Sequence, residues 1–181
     1  MIRKFIYLLL ITSFSLSSYA QQWSEIPVKD GKVEFEGTIL SPASAEDIKT
    51  SVEKWIESDF LSEKGVITNL DTVNNIIVCR VMDPLKIQKG TWTQYVMYLR
   101  YTLIIEYQTN QCKITARNIG YVDPDDLRLR KDNYTVFPAE TVLIEKNFKE
   151  LFVQDAVEKI ETKTIDYFED LFFTIGNVVK K

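Results

Sequence analysis

With 181 residues, 45% hydrophobic and 27% charged side chains, and no histidine, the chain is long enough to enclose one core without disulfide or metal staples. It also lacks the side chain most used for zinc ligation, near-neutral proton transfer and imidazole-dependent triads. The first twenty residues carry two of the 22 basic residues and none of the 26 acidic ones, so the remainder has a net charge of −6 and repels phosphate backbones and anionic headgroups.

Arg3 and Lys4 precede an apolar run from Phe5 to Leu16, and Ser18-Tyr19-Ala20 sets small residues at both cleavage subsites. This is the pattern of a secretory signal peptide cut after Ala20. About a dozen apolar residues at roughly 1.5 Å each fall short of the roughly 30 Å hydrocarbon core. No cysteine stands near the cut to accept a lipid, and the later apolar run Tyr98 to Tyr107 is broken by Arg100 and Glu106. Residues 1–20 are thus expected to be a signal peptide, and 21–181 a single soluble domain in the periplasm or outside the cell, with no membrane span and no lipid anchor.

Lys32 to Ile39 alternates, with Val33, Phe35 and Ile39 on one face and Glu34, Glu36 and Thr38 on the other, as a half-buried strand does. Asp30-Gly31 is a turn signal before it, and Ser41-Pro42 ends it. Ser44 opens a helix with Glu46 and Asp47 in its first turn, and Ile48, Val52, Trp55, Ile56 and Phe60 recur at helical spacing. Gly65 turns the chain into Val66 to Asp71, which Thr72-Val73-Asn74-Asn75 joins to Ile76 to Met82 as a hairpin. Asp83-Pro84 through Lys89-Gly90 reads as a loop.

Trp92 to Tyr107 is aromatic and β-branched with two-fold periodicity, Gln108 to Gln111 turns, and Cys112 to Val122 returns beside it. From Asp123 to Phe137 the pattern defines no element, and Pro138-Ala139-Glu140 suits the start of a short helix. Leu151 to Val178 is a long amphipathic helix with Val153, Val157, Ile160, Thr164, Phe168, Leu171 and Ile175 on one seam, and Gly176-Asn177 is placed to fray its end. The order β-α-β-β-β-β-α predicts a two-layer α+β domain, a five-stranded antiparallel sheet with two main helices on one face.

In this layout the chain resembles the exported domain-of-unknown-function family DUF4468, found mainly in Bacteroidetes. The resemblance lies in the leader ending at Ala20, the strand Gly31 to Phe35, the helix Ala45 to Phe60 with Val52-Glu53-Lys54-Trp55-Ile56, and the pairs Val66-Ile67 and Ile76-Ile77. The hairpin Tyr101 to Tyr107 with Ile114 to Ile119 completes it. It covers roughly 31–122, with the 151–178 helix similar to the family's tail. It implies a fold like that of the TATA-box-binding protein; it implies no catalytic residue, and a shared fold carries no DNA binding with it.

The sheet order implied by that fold is first, fifth, fourth, third, second strand. Cys79 and Cys112, an even count in an oxidising compartment, invite a disulfide. In this order they stand two strand spacings apart, roughly 9–10 Å, beyond the roughly 7 Å Cα limit for a bridge, so two buried free thiols are expected. Asp123, Asp125 and Asp126 have hard oxygens suited to calcium but lack the glycine and distal glutamate of a calcium loop; a solvated turn is the expectation. Arg128, Arg130 and Lys131 fit an exposed basic edge strand, or a cationic strip for an anionic ligand.

Tyr95, Tyr101 and Tyr107 share one strand face, and Trp92 and Tyr98 the other. One set lines the core and the other is available on the uncovered face of the sheet. The possible binding surface is therefore Trp92, Tyr98, Arg128, Arg130 and Lys131.

No serine elbow or phosphate-cradling loop is present, and Glu34 with Glu36 is explained by strand alternation. The expected function is a non-enzymatic envelope module, without cofactor or metal, binding a protein or surface polymer through the open sheet face and the loop Asp123 to Phe137. A binder of a small hydrophobic or aromatic ligand held between sheet and C-terminal helix is the alternative, and a carboxylate-based hydrolase ranks last. Intact mass and N-terminal sequencing of the exported protein are expected to give Gln21 as the first residue; a chain still beginning at Met1 would refute the leader.

Overall fold

Side-chain alternation along the strands sorts the chain into layers. The computed structural model describes residues 22–60, 65–71, 73–89, 93–130, 133–146 and 154–180. The elements are β1 (Val28–Lys29), β2 (Lys32–Val33), β3 (Phe35–Leu40), α1 (Ala45–Trp55, continued by a π turn Ile56–Phe60), β4 (Gly65–Asp71), β5 (Ile76–Lys89), β6 (Thr93–Gln108) and β7 (Gln111–Val122). There follow α2 (Pro124–Arg130), β8 (Phe137–Pro138), a π turn Glu140–Ile144 and α3 (Gln154–Val179).

The main sheet is antiparallel in the order β3-β7-β6-β5-β4. This is the order expected, with every neighbour in sequence after β4 joined by a hairpin. β1 and β2 form a separate two-residue ribbon on Asp30-Gly31, both left-handed (φ 50° and 74°), as a tight primed hairpin turn demands. β8 pairs with Gly120 and Tyr121 of β7, on the side that β3 leaves open beyond Phe35–Ala116.

One face of this sheet is buried. On β6, Met97, Leu99, Tyr101, Leu103, Ile105 and Tyr107 are all at most 2% exposed, while the alternate residues are half-buried. Ile77, Cys79, Val81, Leu85 and Ile87 of β5 and Cys112, Ile114 and Ala116 of β7 continue the same layer. Ile48, Val52, Trp55, Ile56 and Phe60 from α1 and Ile160, Phe168, Leu171, Phe172 and Ile175 from α3 cover it. Phe168 is the central contact: its ring stacks on Phe35 (centroids 4.3 Å) and meets Tyr101 edge-on (5.2 Å).

Local signals fix the ends of these elements. Ser44 caps α1, its Oγ accepting from the Asp47 N–H (3.2 Å) and donating to the Asp47 carboxylate (2.6 Å). Ser41 Oγ donates to the Val179 carbonyl, tying the end of β3 to the last turn of α3. Trp23 closes the other end, its N–H donating to Glu169 (2.7 Å) and its ring edge-on to Phe35 and Phe172.

Three expectations are corrected. The segment Asp83 to Lys89 is not a loop: β5 runs for 14 residues, with Pro84 opposite Tyr98. Among the described residues β4 pairs only as far as Val81, so Pro84 has no described neighbour on its outer side, where a proline is tolerated. Residues 124–130 form a helix instead of an irregular turn or edge strand, capped by Asp123, whose Oδ1 accepts from the Asp125 and Asp126 N–H groups. Gly176 does not fray α3, which continues to Val179; a Cβ on Gly176 would meet Ile39 at 3.5 Å, an ordinary packing contact. Of the predicted α3 seam, Ile160, Thr164, Phe168, Leu171 and Ile175 are buried, and the side chains of Val153 and Val157 lie outside the described residues.

Thr164 is the seam's polar member. Its hydroxyl donates to the Ile160 carbonyl and accepts from the fully buried Tyr121 hydroxyl (both 2.7 Å). Thr164→Val removes that acceptor and leaves a phenol stranded in the core, at an expected cost of about 1–3 kcal/mol in urea unfolding. Adding Tyr121→Phe is expected to restore part of the loss; strictly additive single-variant effects would rule out the bond's role.

Candidate functional site

Among the described residues no helix covers the second face of the sheet. Its described side chains are Glu36 and Thr38 of β3, Ile76, Val78, Arg80, Met82, Pro84 and Lys86 of β5, the even-numbered residues of β6 from Val96 to Gln108, and Lys113, Thr115 and Arg117 of β7, all but Thr115 at least partly exposed. Lys113 sits among acids here, 3.1 Å from Glu36 and 3.9 Å from Glu106, while Lys29 bridges Glu34 and Glu36.

Arginine is concentrated further along. Register puts Arg80 opposite Thr102 and Thr102 opposite Arg117, with Arg100 in the next row opposite Gly120. A β-bulge shapes this corner. Between the pairs Arg100–Gly120 and Thr102–Arg117, β7 has two residues against one on β6, and Asn118 takes a left-handed conformation (φ 55°). Arg117 and Asn118 are consequently both exposed, and the Asn118 amide donates to Thr102 Oγ1 (3.4 Å).

The segment after α2 folds back over the same corner. A Cβ on Gly120 would lie 2.6 Å from Val136 Cγ1 and 3.1 Å from the Phe137 carbonyl oxygen, so only glycine permits this approach. Val136 walls two adjoining hollows. One, of about 380 Å³, is lined by Arg80, Arg100, Thr102 and Asn118; the other, of about 550 Å³, is lined by Lys32, Glu34, Arg117, Asn118, Pro138 and Glu140. The acids of this second hollow are engaged, Glu34 with Lys29 and Glu140 as acceptor for the Val33 N–H (2.9 Å). Among the described residues no ion pair or hydrogen bond holds the guanidinium groups of Arg80, Arg100 or Arg117.

The expected surface is therefore redrawn. Tyr98 is half-buried on the open face, two residues from Arg100, whereas Trp92 and Lys131 lie outside the described residues, as does Ala20. Arg128 and Arg130 belong to α2 and pair within it, with Asp125 (3.0 Å) and Asp126 (2.7 Å). They form no strip along a strand, because helical spacing brings each arginine over an acid three or four residues earlier. The same bonds disperse the three aspartates: Asp123 caps the helix and accepts from Tyr95 (3.2 Å), and Asp126 also accepts from the Thr135 N–H (2.6 Å). Arg80 and Arg100 each stand between apolar neighbours in their strands, but only register brings them beside Arg117.

The interior offers little chemistry. Cys79 and Cys112 are buried and free; Cys79 is opposite Leu103, itself opposite Ala116, four residues from Cys112. Burial pushes their thiols up to about 11 and about 12. Tyr101 and Tyr167 share a hydrogen bond (2.8 Å), and Tyr167 donates to the buried Asp83 (2.8 Å), tying β5, β6 and α3 together. Burial first, then Tyr101 and Asp83, hold the Tyr167 hydroxyl above the ordinary phenol range.

The geometry defines a two-layer α+β module with one covered and one open sheet face, a fold like that of the TATA-box-binding protein. Residues 35–122 match the family described as "Domain of unknown function (DUF4468) with TBP-like fold". The chain is similar to the crystal structure of a DUF4468 family protein from Bacteroides ovatus ATCC 8483, with TM-score 0.70 and 16% identity over 92% of this chain and 97% of that one. A TBP-like protein from Parabacteroides distasonis ATCC 8503 gives TM-score 0.65 and 19% identity over 85% and 96%. No curated protein matches.

The raised thiol values carry a consequence for stability. Below the ordinary thiol value of 9.0 both cysteines are protonated whether folded or unfolded, and the benefit of burying them neutral is complete. As pH rises above 9.0 the unfolded chain loses those protons while the native chain keeps them to about 11 and about 12, so stability falls through that window, by up to about 1.4 kcal/mol per pH unit per group. Urea midpoints measured upward from neutral pH are expected to drop in this range, and less steeply in Cys79→Ala/Cys112→Ala. An unchanging wild-type midpoint would contradict the burial.

Proposed function

We propose that the chain is an exported, non-enzymatic envelope module that associates with a protein or surface polymer through its open sheet face and the segment Asp123 to Phe137 folded against it. The observation that carries this reading is the convergence of Arg80, Arg100 and Arg117 with Val136 on the face that no described helix covers. Burying one sheet face beneath α1 and α3 leaves on the other a mixture of half-buried apolar side chains, such as Val78, Val96 and Ile104, and the three arginines, a surface suited to recognition.

Two further observations support it over the alternatives. Phe35, Tyr101 and Phe168 are in ring contact between sheet and α3, where a small hydrophobic ligand would have to lie. The hydrogen bond and charge of Lys113 hold the Glu36 carboxyl below its usual range, whereas a general acid for glycoside hydrolysis needs a raised value.

A photo-crosslinking residue placed at Thr38 or Lys86, both exposed on the open face, is expected to trap a partner in the envelope of producing cells. The same residue at Thr162, exposed on α3, is expected to trap none. Equal yields from the two faces, or adducts from Thr162 alone, would overturn the reading.

A further inference from the structure

We infer that Arg80, Arg100 and Arg117 form a binding site for a compact oxyanion, a carboxylate or phosphate group seated beside Thr102, Asn118 and Val136. This rests on the proposed association through the open face and specifies the chemistry that face recognises.

Position is the first argument. Arg80 and Arg117 flank Thr102 from the two neighbouring strands, so their Cα atoms are roughly 9–10 Å apart, and Arg100 rises two residues along the middle strand, roughly 7 Å away. Arg80 and Arg100 line one hollow and Arg117 the adjoining one, and Asn118 and Val136 are shared by both. Each guanidinium offers a planar fork of donors matched to a carboxylate or phosphate edge, and Asn118 and Thr102 add neutral polar groups between them.

Electrostatics is the second. The surrounding acids already have partners: Glu36 and Glu106 have Lys113, Glu34 has Lys29, and Glu140 holds the Val33 amide. The three arginines are held by no described side chain, so the corner stays locally positive on a chain with an excess of acidic residues. At physiological ionic strength charges are screened over about 8 Å. A compact anion in the hollow therefore feels the arginines, while an extended polyanion runs on to acidic surface and is repelled.

Shape is the third. The bulge at Asn118 and the glycine at 120 are both used to build this corner, one turning an additional side chain onto the open face and the other admitting Val136 as a wall. The resulting hollow of about 380 Å³ has room for one oxyanion-bearing sugar or side chain presented by a larger partner.

The test is titration of the isotope-labelled protein, lacking its leader, with sodium glucuronate and separately with inorganic phosphate, sodium chloride serving as the ionic-strength control. Saturable shifts of the Arg80, Arg100 and Arg117 side-chain N–H signals and of the Thr102, Asn118 and Val136 amides are expected, with dissociation constants in the millimolar range or tighter. Arg100→Gln and Arg117→Gln are expected to weaken binding about tenfold each, Arg100→Lys to restore only part, and Arg128→Gln to change nothing. Core amide signals report that each variant is folded. Saturation by glucuronate alone assigns an acidic-sugar carboxylate, and saturation by phosphate alone a phosphorylated ligand.

No saturable shift with either probe, or shifts indifferent to Arg100→Gln and Arg117→Gln, would overturn the inference. Open-face crosslinks that persist in the double variant would then leave association standing without the oxyanion. Saturation without crosslinks would remove the macromolecular partner and keep the site.

Discussion

A sheet has two faces, and in this one the described helices cover only one of them. Because side chains alternate strictly along a strand, packing Phe168 between Phe35 and Tyr101 commits each sheet position to one side or the other. A register slip of one residue on β6 would exchange Leu99, Tyr101 and Leu103 for Arg100, Thr102 and Ile104 in the core. The cost of burying the Arg100 charge there makes that register untenable, so the buried layer also dictates what the open face displays.

The open face consequently displays the charged residues the core rejects beside a few aliphatic ones, and its charges are sorted along the strands. Towards the β6–β7 turn, lysines and glutamates neutralise one another. Around the bulge, arginines from three strands gather without a described acid paired to them. The bulge is where the two regimes meet, since the extra residue in β7 breaks the alternation and brings Arg117 and Asn118 out together. Glycine at 120 then lets the returning chain close against the sheet, joining the segment after α2 to the site.

Much of this was legible in the strands and helices. The alternation at Val33, Phe35 and Ile39, the cap at Ser44, the asparagine-rich turn before Ile76 and the seam from Ile160 to Ile175 each declare themselves through local periodicity or backbone preference. The separation of Cys79 from Cys112 followed once the strand order was taken from the family resemblance. Other features were hidden for physical reasons. Pro84 looks like a strand breaker until it is known that, among the described residues, β4 pairs no further than Val81, and Asp125, Asp126, Arg128 and Arg130 look like a charged loop until their i, i+3 and i, i+4 pairs are seen. The arginine corner was hidden most completely, since its members are 20 and 17 residues apart in sequence.

What the sequence determined alone was therefore periodic and local: the five main strands in outline, the two long helices, which stripe of each is apolar, and that imidazole chemistry is absent. What only the tertiary structure decided was coincidence in space, namely which strands lie side by side, where a bulge shifts their register, and which charges meet. The physical reason is that a hydrophobic stripe is written within one segment, whereas a site assembled across three strands depends on pairing and register that no single segment encodes.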